Sequence, residues 1–116
     1  MTITRQPTEA ETYHHQAMEI AQRAMLLDDK KPEEALPFFR QAADLEQRAL
    51  DAIELSNGSN LNRVVLACSV ASLHIDAGNH SLARKLALKY IELSRQIDRM
   101  YTDTFQEILK STEHQP

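Results

Sequence analysis

Apolar residues recur every three or four positions along most of the chain, which is the spacing of one face of an α-helix. Two such stripes fall within residues 8–55 and predict an antiparallel pair of helices. Thr8 lies three residues before Glu11, the spacing of a helix-capping box. Pro32 suits the first turn of the second helix, where a missing N–H loses no hydrogen bond. The stripes are Ala10, Tyr13, Ala17, Ile20, Ala24 and Leu27, then Ala35, Phe38 or Phe39, Ala42, Leu45, Ala49 and Ile53.

The clearest loop is the segment SNGSN, residues 56–60, because Ser, Asn and Gly favour turns and caps over helix interiors. The run that follows it has apolar residues on two faces. A helix with two apolar faces normally packs between neighbours, so we expect this third helix to be central. Its two stripes are Leu61, Val64, Cys68, Ala71 and Ile75, and Leu66, Val70, Leu73 and Ala77.

The last run, residues 81–115, contains no glycine or proline and carries its apolar stripe to the end. It predicts one long C-terminal helix, which pairs with the third helix in a second hairpin over about residues 61–113. A helix of ~30 residues extends about 45 Å, so part of its stripe would project beyond the first hairpin. A second copy of the chain could cover the surplus, and a homodimer is therefore one alternative. The surplus residues are Met100, Tyr101, Phe105, Ile108 and Leu109.

The composition agrees with a single all-α domain. A chain of 116 residues has the length of one domain. It contains only two glycines and is 42% hydrophobic, while Ala, Leu, Glu and Gln, which favour helices, are abundant. The predicted fold is therefore a four-helix, all-α bundle that spans residues 1–116.

Charge and cysteine content narrow the partners and the compartment. Residues 1–60 contain 6 basic and 11 acidic side chains, and residues 61–116 contain 7 and 6. Neither half has the clustered basic face that nucleic-acid binding requires, so no nucleic-acid partner is expected. The chain also lacks a signal-peptide core and an apolar run of ~20 residues. With one cysteine, Cys68, and no internal disulfide, these features predict a cytoplasmic protein without a membrane partner.

The junction of the third and fourth helices contains Ala71, Gly78, Asn79 and Ala83. With these residues it resembles the tetratricopeptide repeat, a hairpin of two helices. That repeat has a small residue midway along its first helix, a Gly-Asp or Gly-Asn turn, and an early alanine in its second helix. The segment KKPEEALPFFRQAADLE is similar to a second helix of this kind, and the whole stretch resembles short bacterial tetratricopeptide-like proteins. The resemblance implies two stacked hairpins that act as a non-catalytic adaptor or scaffold. The matching residues are Ala35, Phe39, Ala42, Ala71, Gly78, Asn79 and Ala83.

The resemblance also implies that the first helix of each hairpin lines a concave, partner-binding side. Residues of the third helix that lie off its main apolar stripe are then candidates for contact with a protein or peptide. Arg63 leads them, because a guanidinium beside apolar surface commonly anchors a carboxylate. An ion pair with Glu54 or Asp51 of the same chain is the alternative. The candidates are Asn62, Arg63, Val65, Ser69 and Ser72.

His74, Asp76 and His80 surround the predicted turn, and a small metal-dependent enzyme is the remaining alternative. Metal sites need convergent ligands, and the helical signature places two histidines four positions apart. Six positions across a glycine turn is a different arrangement, so packing histidines and an exposed Asp76 are expected. The adjacent His14 and His15 are expected on the surface. No catalytic residue, cofactor or bound metal is predicted.

Overall fold

A computed structural model of the protein describes residues 8–113, which form five α-helices joined by short turns. These residues contain no β-strand, which confirms the all-α prediction. Within the same residues, no helix combines the length and apolar character needed to cross a membrane. The helices are α1 (Glu9–Asp28), α2 (Pro32–Leu55), α3 (Asn60–Asp76), α4 (His80–Arg95) and α5 (Arg99–Ser111).

The predicted turns and helix starts are present. Thr8 caps α1 by accepting a hydrogen bond from the Glu11 N–H at 3.1 Å. Pro32 is the first residue of α2. Gly78 has a φ of +81°, in the left-handed region that favours glycine. The Asn79 N–H then donates to the carbonyl of His74 at 2.7 Å, which closes the end of α3 and reverses the chain.

The prediction of one long C-terminal helix is wrong, because the chain turns between α4 and α5. Asp98 is the N-cap of α5, and its carboxylate accepts a hydrogen bond from the Met100 N–H at 2.8 Å. An aspartate favours the cap over the helix interior because its side chain competes for backbone N–H groups. The apolar stripe continues across this turn, and so its periodicity conceals the break.

Because of this turn, α5 packs against α3 and α4 of the same chain. Phe105 is fully buried there and Ile108 nearly so. Tyr101 and Leu109 are partly buried against the same cluster. Of the five residues expected to need cover from a second chain, only Met100 is exposed, at 60%. The homodimer alternative thus loses the uncovered stripe on which it depended.

α3 is the central helix, as its two apolar faces predict, and it packs against α2, α4 and α5. Val64 and Val70 are fully buried, and each contributes about 1.5–3 kcal/mol from removal of apolar surface from water. Ala71 and Ala83 are also fully buried and permit close approach of α3 and α4. The main core cluster is Leu50, Val64, Ala67, Val70, Ala71, Ala83, Ala87, Tyr90, Ile91, Phe105 and Ile108.

α1 is attached differently, since it packs mainly against α2 and its buried residues are all alanines. An alanine removes little apolar area from water, so each contributes less free energy than a buried valine or leucine. Met18, Ile20 and Leu27 of α1 also pack against the core but are only partly buried. The buried alanines are Ala10, Ala17, Ala21 and Ala24.

Candidate interaction face

α3 has one face of exposed or partly buried side chains, here the α3 stripe, on the side that does not pack into the core, and most of them are small or polar. The residues of this α3 stripe are three or four positions apart, which places them on one face of the helix. Two depressions flank it, one toward α1 and one toward α5. The α3 stripe consists of Asn62, Val65, Ser69, Ser72 and Asp76.

The depression toward α1, here the α1–α3 cleft, has a volume of ≈ 440 Å³. That volume lies within the range of sites for small ligands or single side chains, about 300–1,000 Å³. Its wall is mostly apolar, with a few polar groups. Among the described residues, its lining contains no lysine or arginine. The lining residues are Thr8, Ala10, Glu11, His14, Ile53, Asn62, Val65 and Leu66.

The depression toward α5, here the α3–α5 groove, is ≈ 320 Å³ in volume and more polar. Asp76 and Glu107 contribute carboxylates, and three hydroxyl side chains accompany them. Burial raises the pKa of Asp76, and the negative charge of Asp28 raises it further, so this end of α3 lies in a negative potential. No basic side chain of residues 8–113 lines the groove. The lining residues are Ser72, Ile75, Asp76, Thr104, Glu107, Ile108 and Ser111.

The carboxylate of Glu46 in α2 is fully buried, and it contacts His14, which lines the α1–α3 cleft. Ser69 Oγ donates a hydrogen bond to its Oε2 at 2.6 Å. His14 Nδ1 lies 2.9 Å from Oε1 and 3.0 Å from Oε2. An unpaired carboxylate at this depth would cost on the order of several kcal/mol, so these two partners make its burial tolerable.

The contact with Glu46 determines which nitrogen of His14 faces the cleft. An ionised carboxylate can only accept hydrogen bonds, so Nδ1 of His14 carries a proton and donates it. The side chain of His14 is 41% exposed and lines the cleft. Its Nε2 has no hydrogen-bond partner within residues 8–113 and is available to a ligand.

Ser69, Glu46 and His14 do not form a catalytic triad, although their residue types match one. In a triad the imidazole lies between the hydroxyl and the carboxylate, so that it removes the hydroxyl proton. Here the carboxylate of Glu46 lies between Ser69 and His14. The network therefore orients His14 and does not activate Ser69 as a nucleophile.

The predicted partner-binding residues do not all lie on the same side of the molecule. Asn62 and Val65 line the α1–α3 cleft, and Ser72 lines the α3–α5 groove. Ser69 lies between the two and is engaged with the buried carboxylate. These four residues share one side of the molecule, whereas Arg63 faces elsewhere.

Arg63 forms an ion pair within the chain, as the alternative predicted. Its Nε lies 3.0 Å from Oε1 of Glu54, although the N–H is not aligned for a hydrogen bond. Tyr90 is close by: burial raises its pKa to about 12, and the negative charge of Glu54 adds to this effect. The charge of Arg63 is thus compensated locally, on the side of α3 that faces α2 and α4.

His74, Asp76 and His80 do not converge on one point. His74 is buried, and its Nδ1 lies 3.2 Å from Nδ2 of the Asn79 side chain. The packing role expected for His74 is confirmed. Burial lowers the pKa of His74, and the charge of Asp44 offsets this in part. His80 is half-buried, and its Nδ1 has no partner in the described part of the chain. In residues 8–113, no group of three or more His, Cys, Asp or Glu side chains could hold a metal ion.

The contact between His14 and the buried Glu46 is not among the predictions from the sequence. Apolar spacing places Leu45 on the buried stripe of α2, whereas Leu45 is only partly buried and Glu46 fully so. The prediction of a surface His14 is confirmed in part, since its side chain is 41% exposed, but its Nδ1 contacts the buried Glu46. The sequence contains one signal of this burial, because Glu46 lies on the same helical face as four buried residues of α2. Those residues are Ala42, Ala43, Ala49 and Leu50.

Comparisons with known proteins do not assign this face to a family. No protein-family model, curated protein or solved structure shows a significant match to the chain. The resemblance to the tetratricopeptide repeat through Ala71, Gly78 and Ala83 stays a prediction. Function must therefore be inferred from the geometry of the cleft and the groove.

Proposed function

We propose that the protein is a non-catalytic, tetratricopeptide-like interaction module that binds a peptide segment along the α3 stripe. One observation carries this proposal: two depressions flank a single solvent-facing stripe, one mostly apolar and the other acidic. In the proposed arrangement α1–α2 and α3–α4 are the two hairpins, and α5 adds the first helix of an incomplete third. The packing of α3 on α5 supports this arrangement.

The chemistry of the two depressions selects the kind of peptide. Val65, Leu66 and Ile53 supply apolar surface in the α1–α3 cleft. Asp76 and Glu107 supply negative charge in the α3–α5 groove. The chain as a whole carries a formal net charge of −4, which favours encounter with cationic partners. The preferred ligand is therefore a segment with an apolar side chain and one or more lysines or arginines.

The spacing along α3 fits a short extended segment. Val65 and Asp76 are eleven positions apart in α3. At 1.5 Å per residue they are separated by about 16 Å along the helix axis. An extended peptide advances about 3.3 Å per residue, so roughly five residues reach from the cleft to the groove. A contact of this size suits a transient interaction.

Selection from a library of displayed random peptides tests the proposal. Enriched sequences are expected to contain Lys or Arg together with an apolar residue. Their affinity for the full chain, measured by fluorescence anisotropy, should fall about tenfold or more in Val65→Arg, which places bulk and positive charge in the cleft. Glu107→Lys should weaken binding and reduce its dependence on salt.

The matched control is Leu88→Arg. Leu88 of α4 is 56% exposed and lines neither depression, so the same kind of change there should leave the affinity unaltered. Peptides that bind Val65→Arg as tightly as the wild type would contradict the proposal. Enrichment of acidic peptides would contradict the assigned charge preference.

A further inference from the structure

His14 is a preorganised hydrogen-bond acceptor at the wall of the α1–α3 cleft. Both carboxylate oxygens of Glu46 lie within 3.0 Å of Nδ1, and Glu46 is itself held by Ser69. This arrangement sets the orientation of the ring, which lines the cleft, and in the neutral imidazole it leaves the lone pair on Nε2. A ligand that donates a hydrogen bond to Nε2 therefore loses little free energy to ordering of the imidazole ring, because the ring is already held in one orientation.

The rest of the cleft fits an alkyl chain. Ala10, Ile53, Val65 and Leu66 provide aliphatic surface, and Asn62 adds an amide at the wall. An entirely apolar ligand would leave Nε2 of His14 desolvated and without a partner, which disfavours it. The ligand that satisfies both conditions has an aliphatic stem and a hydrogen-bond donor at its end.

The negative charge of the buried Glu46 determines which kind of hydrogen-bond donor binds best. The carboxylate of Glu46 has no exposed surface, so solvent screens its field in the cleft less than the field of a surface carboxylate. Its negative charge behind the imidazole favours a positive group in front of it. An anionic ligand would meet the same field with the opposite sign. A primary ammonium on an alkyl stem is therefore the best match.

We propose that the α1–α3 cleft is a pocket for a lysine side chain of the bound peptide, whose ammonium donates a hydrogen bond to Nε2 of His14. The stem of the lysine lies against Val65, Leu66 and Ile53, and Glu46 acts through His14 as a positioning residue. This inference rests on the proposed peptide-binding function and specifies the residue that the cleft recognises: the aliphatic stem of a lysine is the apolar group that packs there.

Nitrogen NMR of the wild-type full chain with labelled histidine tests the pocket directly, at about pH 8, where an ordinary histidine is neutral. In the free protein His14 is expected as the Nδ1–H tautomer. The probe is N-acetyl-lysine N-methylamide at millimolar concentrations, and the matched neutral probe is the norleucine analogue. The lysine probe should shift the Nε2 resonance of His14 and the methyl resonances of Val65 and Leu66. The norleucine probe should bind more weakly and leave Nε2 unshifted.

Two variants test whether Glu46 acts by positioning His14 or only by packing in the core. Glu46→Gln keeps the size of the side chain and an acceptor for Ser69 but removes the charge, and it should reduce the preference for lysine over norleucine several-fold. His15→Gln is the control, because the ring of His15 is 6.0 Å from that of His14 but does not line the cleft. It should leave the preference unchanged.

The outcomes distinguish this inference from the proposed function. An Nε2–H tautomer of His14, a doubly protonated ring at about pH 8, or equal binding of the two probes would overturn the lysine pocket. If peptides still bind in a manner sensitive to Val65→Arg, the proposed function stands without it. A lysine probe that shifts His14 while no peptide binds the α3 stripe would overturn the proposed function and leave the cleft as a site for an isolated alkylammonium group.

Discussion

His14 Nδ1 lies 2.9 Å from Oε1 of Glu46, a carboxylate with no exposed surface. The two residues are 32 positions apart, so the contact joins α1 to the middle of α2. The fully buried residues of α1 are all alanines, and Met18, Ile20 and Leu27 are only partly buried, so this polar contact adds to the attachment of α1. The same contact orients the ring of His14, which lines the α1–α3 cleft, and it therefore connects stability with the proposed recognition.

Loss of His14 is expected to destabilise the protein. His14→Ala leaves the buried carboxylate of Glu46 with Ser69 as its one remaining side-chain partner and should lower the free energy of unfolding by about 2 kcal/mol. Urea denaturation followed by circular dichroism measures the change. His15→Ala, at an exposed neighbouring position, should alter it by less than about 0.5 kcal/mol. Equal stability of the two variants would contradict the structural role of the pair.

Acidification should destabilise the protein through His74. Burial lowers the pKa of His74 below its ordinary value of 6.5, so the unfolded chain binds this proton more readily than the folded protein does. The contribution of His74 to stability is complete above pH 6.5 and is lost as the pH falls toward and below the lowered folded-state pKa. His74→Phe removes the titrating group, and the fall in unfolding free energy across this interval should be smaller than in the wild type. Parallel pH profiles for the two proteins would refute the assignment.

The thiol of Cys68 should be unreactive in the folded protein. Burial raises the pKa of Cys68 to about 11, so very little thiolate is present near neutral pH. Its Sγ also lies 3.9 Å from the carbonyl oxygen of Tyr101, under α5. Alkylation by iodoacetamide at about pH 8 should be at least about tenfold slower in the native protein than in urea. Similar rates in the two conditions would show that α5 does not cover this thiol.

Removal of the cap at Asp98 tests the break between α4 and α5. Asp98→Ala loses the hydrogen bond to the Met100 N–H and should destabilise the protein by about 1 kcal/mol. Asp103→Ala is the matched control, since Asp103 is an exposed residue within α5 whose contact with Arg99 is 3.9 Å long. If the two variants have the same stability, Asp98 is not an energetically significant cap.

The features that could be predicted from the sequence are local ones. Helical spacing, the cap at Thr8 and the turn at Gly78 each depend on a few neighbouring residues, and the structure contains all three. The end of α4 could not be found by periodicity, because Asp98 interrupts the helix without interrupting the apolar stripe. The contact of His14 with Glu46 depends on how α1 packs on α2, and the spacing within either helix does not report it.

The central claim is that peptides bind along the α3 stripe, between the α1–α3 cleft and the α3–α5 groove. The most direct measurement is chemical-shift mapping of the labelled full chain during titration with a selected lysine-containing peptide. The largest shifts are expected at Asn62, Val65 and Ser72. Shifts concentrated instead on the opposite side, around Leu55 and Lys89, would contradict it.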